Sequence, residues 1–143
     1  MMKRAALQNI SRLAALVALV LAIPQLTPGY SVLTHEAIID QSWKDSIQPI
    51  LVKRFPHATA EQLRVAHAHA YGGAIIQDMG YYPFGNRFFT DAVHYVRSGD
   101  FIEALLLEAQ DLNEYAFALG SLAHYAADNL GHSLAVNRAV PIL

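Results

Sequence analysis

The chain has 143 residues, enough for one ordinary domain; 54% are hydrophobic and 15% charged, which excludes a disordered polar chain. The first 29 residues hold Lys3, Arg4 and Arg12 and no acid, leaving seven basic and twelve acidic residues after them. That net charge of about −5 opposes broad phosphate-tracking contact with nucleic acid. The absence of cysteine excludes disulfide staples, cysteine zinc fingers and thiol catalysis, while seven histidines are an unusual number for this length.

Residues 1–12 are basic, Leu13 to Ile23 is an uninterrupted apolar run, and Pro24 and Pro28 follow. The run is shorter than the roughly 20 residues of a membrane span. A basic start, apolar middle and small-residue exit predict a signal peptide over 1–29, with Thr27 and Gly29 at the −3 and −1 positions and Tyr30 as the new N-terminus. An uncleaved N-terminal anchor is the competing reading. Both predict an exported body, secreted or periplasmic, spanning 30–143.

That body reads as helix almost throughout. Ile38, Ile39, Trp43, Ile47, Ile50 and Leu51 recur at helical spacing after Thr34, with Pro49 expected to kink or split the helix. Thr59 and Gln62 form a capping box for a helix running to about Met79. Gly72-Gly73 inside it costs about 1–2 kcal/mol of propensity and suggests close approach by another backbone or a bound group. A loop at 80–86 leads to a short helix over 87–97. Asp100 is expected to cap the next helix and Asn113 the last. No alternating strand pattern appears, so the fold class is all-α, a compact helical bundle. The chain stops on the apolar Ala139-Val140-Pro141-Ile142-Leu143, which reads as a C-terminally incomplete domain.

His124, Asp128 and His132 are spaced i, i+4, i+8, so neighbouring members share a helix face among Ala and Leu. Imidazole and carboxylate on one apolar face suit a divalent metal, zinc above all; a hydrogen-bonded core network is the alternative. Asp78 ends an apolar helical run, where the helix dipole disfavours an acid and a compensating cation is needed. His94 sits inward between valines, and His35 lies in a first helical turn, where a neutral ligand histidine is acceptable. Together these give four histidines and two aspartates on separate helices. His57 reads as an exposed loop residue, and His67 and His69 cannot share one helix face.

The blocks THEAIID, AYGGAIIQDMGYYPFG, DAVHYVRSGDF and FALGSLAHYAADNLGHS resemble the zinc-dependent phospholipase C family over about residues 30–140. That superfamily also holds the trinuclear-zinc single-strand nucleases and the catalytic domain of glycosylphosphatidylinositol-specific phospholipase D. The resemblance implies an all-α bundle with up to three zinc ions. Its implied ligands are Tyr30 through its amino and carbonyl groups, His35, Asp78, His94, His124, a bridging Asp128, and His132. It also implies that Asp78 serves as base.

Three departures stand out. Tyr30 replaces the usual tryptophan, His132 follows Asp128 by four residues rather than six, and no later H-x3-E or H-x3-D pair completes one zinc. One site is therefore incompletely liganded in this chain. The implied function is a zinc-dependent phosphodiester hydrolase acting through an activated water on a phospholipid or other phosphodiester. Contact with a membrane surface is expected, and a stable nucleic-acid partner is not. An exported, non-catalytic metal-binding protein and a single-strand nuclease are the alternatives. Tyr81, Tyr82 and Phe84 are expected to wall the site or to cap the end of the bundle.

Overall fold

The computed structural model describes residues 32–136 and residue 138. The expected signal peptide, Tyr30 and the C-terminal residues 139–143 lie outside the described residues. Among the described residues every regular element is helical. The elements are α1 (Val32–Ser42), α2 (Gln48–Arg54), α3 (Ala60–Ile75), α4 (Arg87–Asp91), α5 (Ser98–Glu108) and α6 (Leu112–Gly131). Turns of π-helix occupy Trp43–Ile47, Ala92–Val96 and His132–Val136, and a 3₁₀ segment spans Ile76–Tyr81.

Local sequence accounts for several boundaries. The capping box forms as expected: Thr59 accepts from the Gln62 backbone N–H, and Gln62 accepts from that of Thr59. Pro49 stands in the first turn of α2, just after the first π turn, so the chain passes from α1 to α2 without a loop. The cap of α6 is Asp111, not Asn113. Asp111 Oδ1 accepts from the backbone N–H groups of Asn113 and Glu114. A carboxylate there also complements the helix dipole, which an asparagine two residues further on would not. Likewise α5 begins at Ser98, and Asp100 lies inside its first turn, paired with Arg97.

The core joins Ile39, Trp43, Ile47 and Leu51 to Ala66, Ala70 and Ala74 of α3 and Ala116 and Leu119 of α6. The α3–α6 pair makes the most extensive contact of any two elements. Its contact face is built from small residues, so the two backbones touch. A Cβ on Gly73 would stand 1.9 Å from the Phe117 carbonyl oxygen, and one on Gly120 would stand 2.0 Å from that of Ala70. The close approach expected at the glycine pair is thus made by Gly73 against backbone. That approach also lets a side chain of one helix reach a main-chain carbonyl of the other, and the site depends on it.

Candidate metal centre

His124 is buried on α6 at the α3 contact, and its Nδ1–H donates to the Ala74 carbonyl at 2.7 Å. His94 sits in the second π turn, and its Nδ1–H donates to the Thr90 carbonyl at 2.8 Å. A carbonyl only accepts, so these bonds place the proton of each neutral ring on Nδ1. Each Nε2 is left as a bare lone pair. The two Nε2 atoms lie 3.3 Å apart.

Carboxylates converge on the same point. Asp78 Oδ1 is 3.3 Å from His94 Nε2, and Asp128 Oδ2 is 3.6 Å from it and 3.4 Å from His124 Nε2. His35 stacks on His124 with ring centroids 4.0 Å apart, and its Nε2 is 3.6 Å from Asp128 Oδ1 and 3.8 Å from Asp78 Oδ2. His132 reaches Asp128 Oδ2 at 3.8 Å from the mouth of the cluster, where it is 47% exposed. The structure therefore brings His35, Asp78, His94, His124, Asp128 and His132 into one cluster. Two overlapping trios, His35–His124–Asp128 and Asp78–His94–His124, each place ligand atoms within 4.8 Å of one another.

The electrostatics of the cluster are those of a site that needs positive charge. Burial, then the neighbouring His124, push the His35 pKa down against the pull of Asp128 and Asp78, which keeps its ring neutral. Burial also opposes a charge on His94. The Asp78 hydrogen bond, the Thr90 carbonyl and the two carboxylates outweigh that, and its pKa is raised. Burial works against ionised Asp128, but His124, His35 and His132 hold its pKa down. Asp128 Oδ1 is nonetheless buried without a hydrogen-bond partner among the described residues.

A cavity of about 460 Å³ opens onto the cluster. Gln77, His94, Tyr95, His124, Tyr125 and Asp128 are part of its lining. Of the three aromatic loop residues, Tyr81 comes nearest, with its ring centroid 5.8 Å from that of His94. All three are solvent-exposed and none of them lines this cavity; Phe84 holds a positive φ of 68°. The remaining histidines stay out of the cluster. His67 stacks between Trp43 and Tyr71, while His57 and His69 are exposed.

Residues 34–142 match the family model for zinc dependent phospholipase C. The chain belongs to this family. No curated protein and no solved structure matches it.

The chemistry of the cluster fits the zinc on which the family depends. Two imidazole lone pairs facing each other among carboxylate oxygens repel unless a cation or a proton lies between them. Histidines that donate Nδ1–H to backbone carbonyls are also oriented as metal ligands are, with Nε2 presented and the tautomer fixed. The raised pKa of His94 is the proton answer to that conflict; a divalent ion is the other. Zinc binding should therefore displace a proton and weaken as pH falls through the raised His94 value. Calorimetry in two buffers of different ionisation enthalpy reads that proton. Identical apparent enthalpies near pH 6.5 would show that none is released.

Three contributors were not visible from sequence. The Ala74 and Thr90 carbonyls fix the two central rings, and main-chain atoms carry no sequence signature. The third is Gln77, next to Asp78, whose place in the cavity lining depends on the 3₁₀ geometry of 76–81.

Proposed function

We propose that the chain is an exported phosphodiester hydrolase of the phospholipase C type, with up to three zinc ions. His35, Asp78, His94, His124, Asp128 and His132 are the proposed ligands, together with the amino and carbonyl groups of Tyr30. The observation that carries this reading is the opposed pair of His94 and His124 Nε2 lone pairs, 3.3 Å apart and flanked by Asp78 and Asp128. Without a metal, the pair has to be held by the proton of a charged His94, in line with its raised pKa. Signal-peptide cleavage after Gly29 would free the Tyr30 amine and deliver the protein to the periplasm or the exterior. Among the described residues no helix is long and apolar enough to cross a membrane.

Bound zinc supplies a Lewis acid that ionises water near neutral pH and offsets the charge on phosphoryl oxygens. The chain's own groups do the rest. The Thr90 and Ala74 carbonyls hold the His94 and His124 rings so that neither turns as substrate enters. Asp78, whose carboxylate is 15% exposed, accepts the proton of the attacking water. Water oxygen then bonds to phosphorus, the bond from phosphorus to the glyceride oxygen breaks, and that oxygen takes up the proton held by Asp78 as the alcohol leaves. The substrate is a phospholipid presented at a membrane surface. The acidic body disfavours a standing nucleic-acid partner.

The test is headgroup-phosphate release from phospholipid vesicles by the zinc-loaded full chain, with bound zinc counted by mass spectrometry. Release that stops on chelation and returns with added zinc is the expected result. One or two zincs with no release from any phospholipid would instead make the chain a metal-binding protein without turnover.

A further inference from the structure

Thr90 is fully buried near the end of α4, and its polar atoms engage the segments on either side of it. Its N–H donates to the Asn86 carbonyl at 3.2 Å, in the turn that opens α4. Its carbonyl accepts from His94 Nδ1 at 2.8 Å, the bond that orients that ring. Its side-chain Oγ1 accepts from the backbone N–H of Gly80 at 2.7 Å. Gly80 is itself buried and lies just beyond Asp78 in the 3₁₀ segment. One residue therefore holds the main chain that carries Asp78 and, through a different atom, the ring of His94.

These bonds close a ring of contacts. From Thr90 the path runs through Gly80 and along the chain to Asp78. It crosses 3.3 Å from Asp78 Oδ1 to His94 Nε2, then returns through His94 Nδ1 to the Thr90 carbonyl. The ring has little slack. A Cβ on Gly80 would stand 2.1 Å from Thr90 Oγ1 and 2.4 Å from the Asn86 carbonyl oxygen, and one on Gly85 would stand 2.1 Å from that of Met79. On its other flank Asp78 is tied to α6, where Gln77 Nε2 donates to the Ser121 carbonyl at 3.0 Å. Asp78 thus stands between two anchors, and the Thr90 hydroxyl is the one that links it to His94.

We propose that Thr90 is a positioning residue of the metal centre, its hydroxyl setting where Asp78 stands relative to His94. The inference rests on the proposed ligand roles of Asp78 and His94 and deepens them. The oxygen is what matters: a buried N–H that loses its acceptor is costly, and valine, of the same shape as threonine, supplies none.

The experiment compares Thr90→Val, which removes the acceptor and keeps the carbonyl to His94, with Thr90→Ser, which keeps both. Zinc binding to the full chain is measured by calorimetry. Affinity should fall about 10- to 100-fold in Thr90→Val and return close to the wild-type value in Thr90→Ser. Leu51→Val, a core change on α2, which supplies no ligand, is the control for lost stability: it should lower the melting temperature and leave zinc affinity unchanged. In an Asp78→Asn background Thr90→Val should weaken zinc no further, because the hydroxyl acts through the carboxylate. On phospholipid vesicles the loss in Thr90→Val should fall on kcat with KM little changed, since Asp78 takes a proton rather than holding lipid.

If Thr90→Val does not fold, hydrogen exchange of the Gly80 amide in the wild type reads the bond directly. Protection is expected, and exchange at the rate of an open loop would overturn the inference. Weaker zinc in Thr90→Val, rescued by serine, with no hydrolysis by any form, would keep the inference and remove the hydrolase reading. Hydrolysis with equal kcat and equal zinc affinity in wild type and Thr90→Val would do the reverse. A loss that serine does not recover, or one that adds to that of Asp78→Asn, also overturns the inference.

Discussion

Asp128→Ala should strip more zinc from the centre than any other single substitution, and should lower hydrolysis by more than about 100-fold. Four imidazoles converge on this carboxylate: His35, His94, His124 and His132 all place Nε2 within 3.8 Å of it. Oδ1 lies toward His35 and Oδ2 toward the other three, so the proposed bridging role would engage both oxygens. Removing it leaves His94 with Asp78 alone as nearby counter-charge. Asp128→Asn separates charge from shape, because it keeps the side chain and loses the anion. Zinc counts that are the same in the wild type, Asp128→Ala and Asp128→Asn would remove Asp128 from the ligand set.

Gly73→Ala should destabilise the fold by about 3 kcal/mol or more, while Gly72→Ala should be neutral or stabilise it by up to about 1 kcal/mol. The two glycines are adjacent, yet they face different surroundings. The added methyl at Gly73 would collide with the Phe117 carbonyl at 1.9 Å and approach the Ser121 backbone N at 3.0 Å, and backbone cannot rotate aside. At Gly72 the nearest atoms are those of the Phe117 ring at 3.6 Å, an ordinary contact. For a domain of this size the Gly73 variant should lose roughly 10–20 °C in thermal midpoint. The same change pushes α3 off α6 and lengthens the His124–Ala74 bond. Zinc affinity should therefore fall with stability in Gly73→Ala and hold in Gly72→Ala. Equal melting curves for both variants would contradict the close α3–α6 contact.

The two glycines also show how far the sequence can be read. The pair announced itself as a helix cost that needed a cause, but nothing in the letters said which member met backbone. The all-helical class followed from periodicity and caps. The i, i+4, i+8 spacing of His124, Asp128 and His132 followed from one helix, and the structure keeps their groups within reach of one another. His35, Asp78 and His94 lie on three other segments, and their expected meeting with that helix rested on family resemblance rather than spacing.

What spacing could not give was the local winding. His94 sits in a π turn and Asp78 in a 3₁₀ segment, so neither follows the 3.6-residue period of the helix before it. The caps of the last two helices moved for a similar reason. Asp111 outcompetes Asn113 because it sits where two free N–H groups converge, and that is a property of the helix start rather than of residue type.

Anomalous diffraction at the zinc edge from crystals of the full chain grown with zinc tests the centre most directly. The account predicts a strong peak bounded by His94 Nε2, His124 Nε2 and Asp128, with further density toward His35 and Asp78. A structure of the same fold, soaked in zinc and showing no anomalous peak among these residues, would contradict it. So would a peak confined to the His67–Asp40 pair, whose Nε2–Oδ1 separation is 3.4 Å.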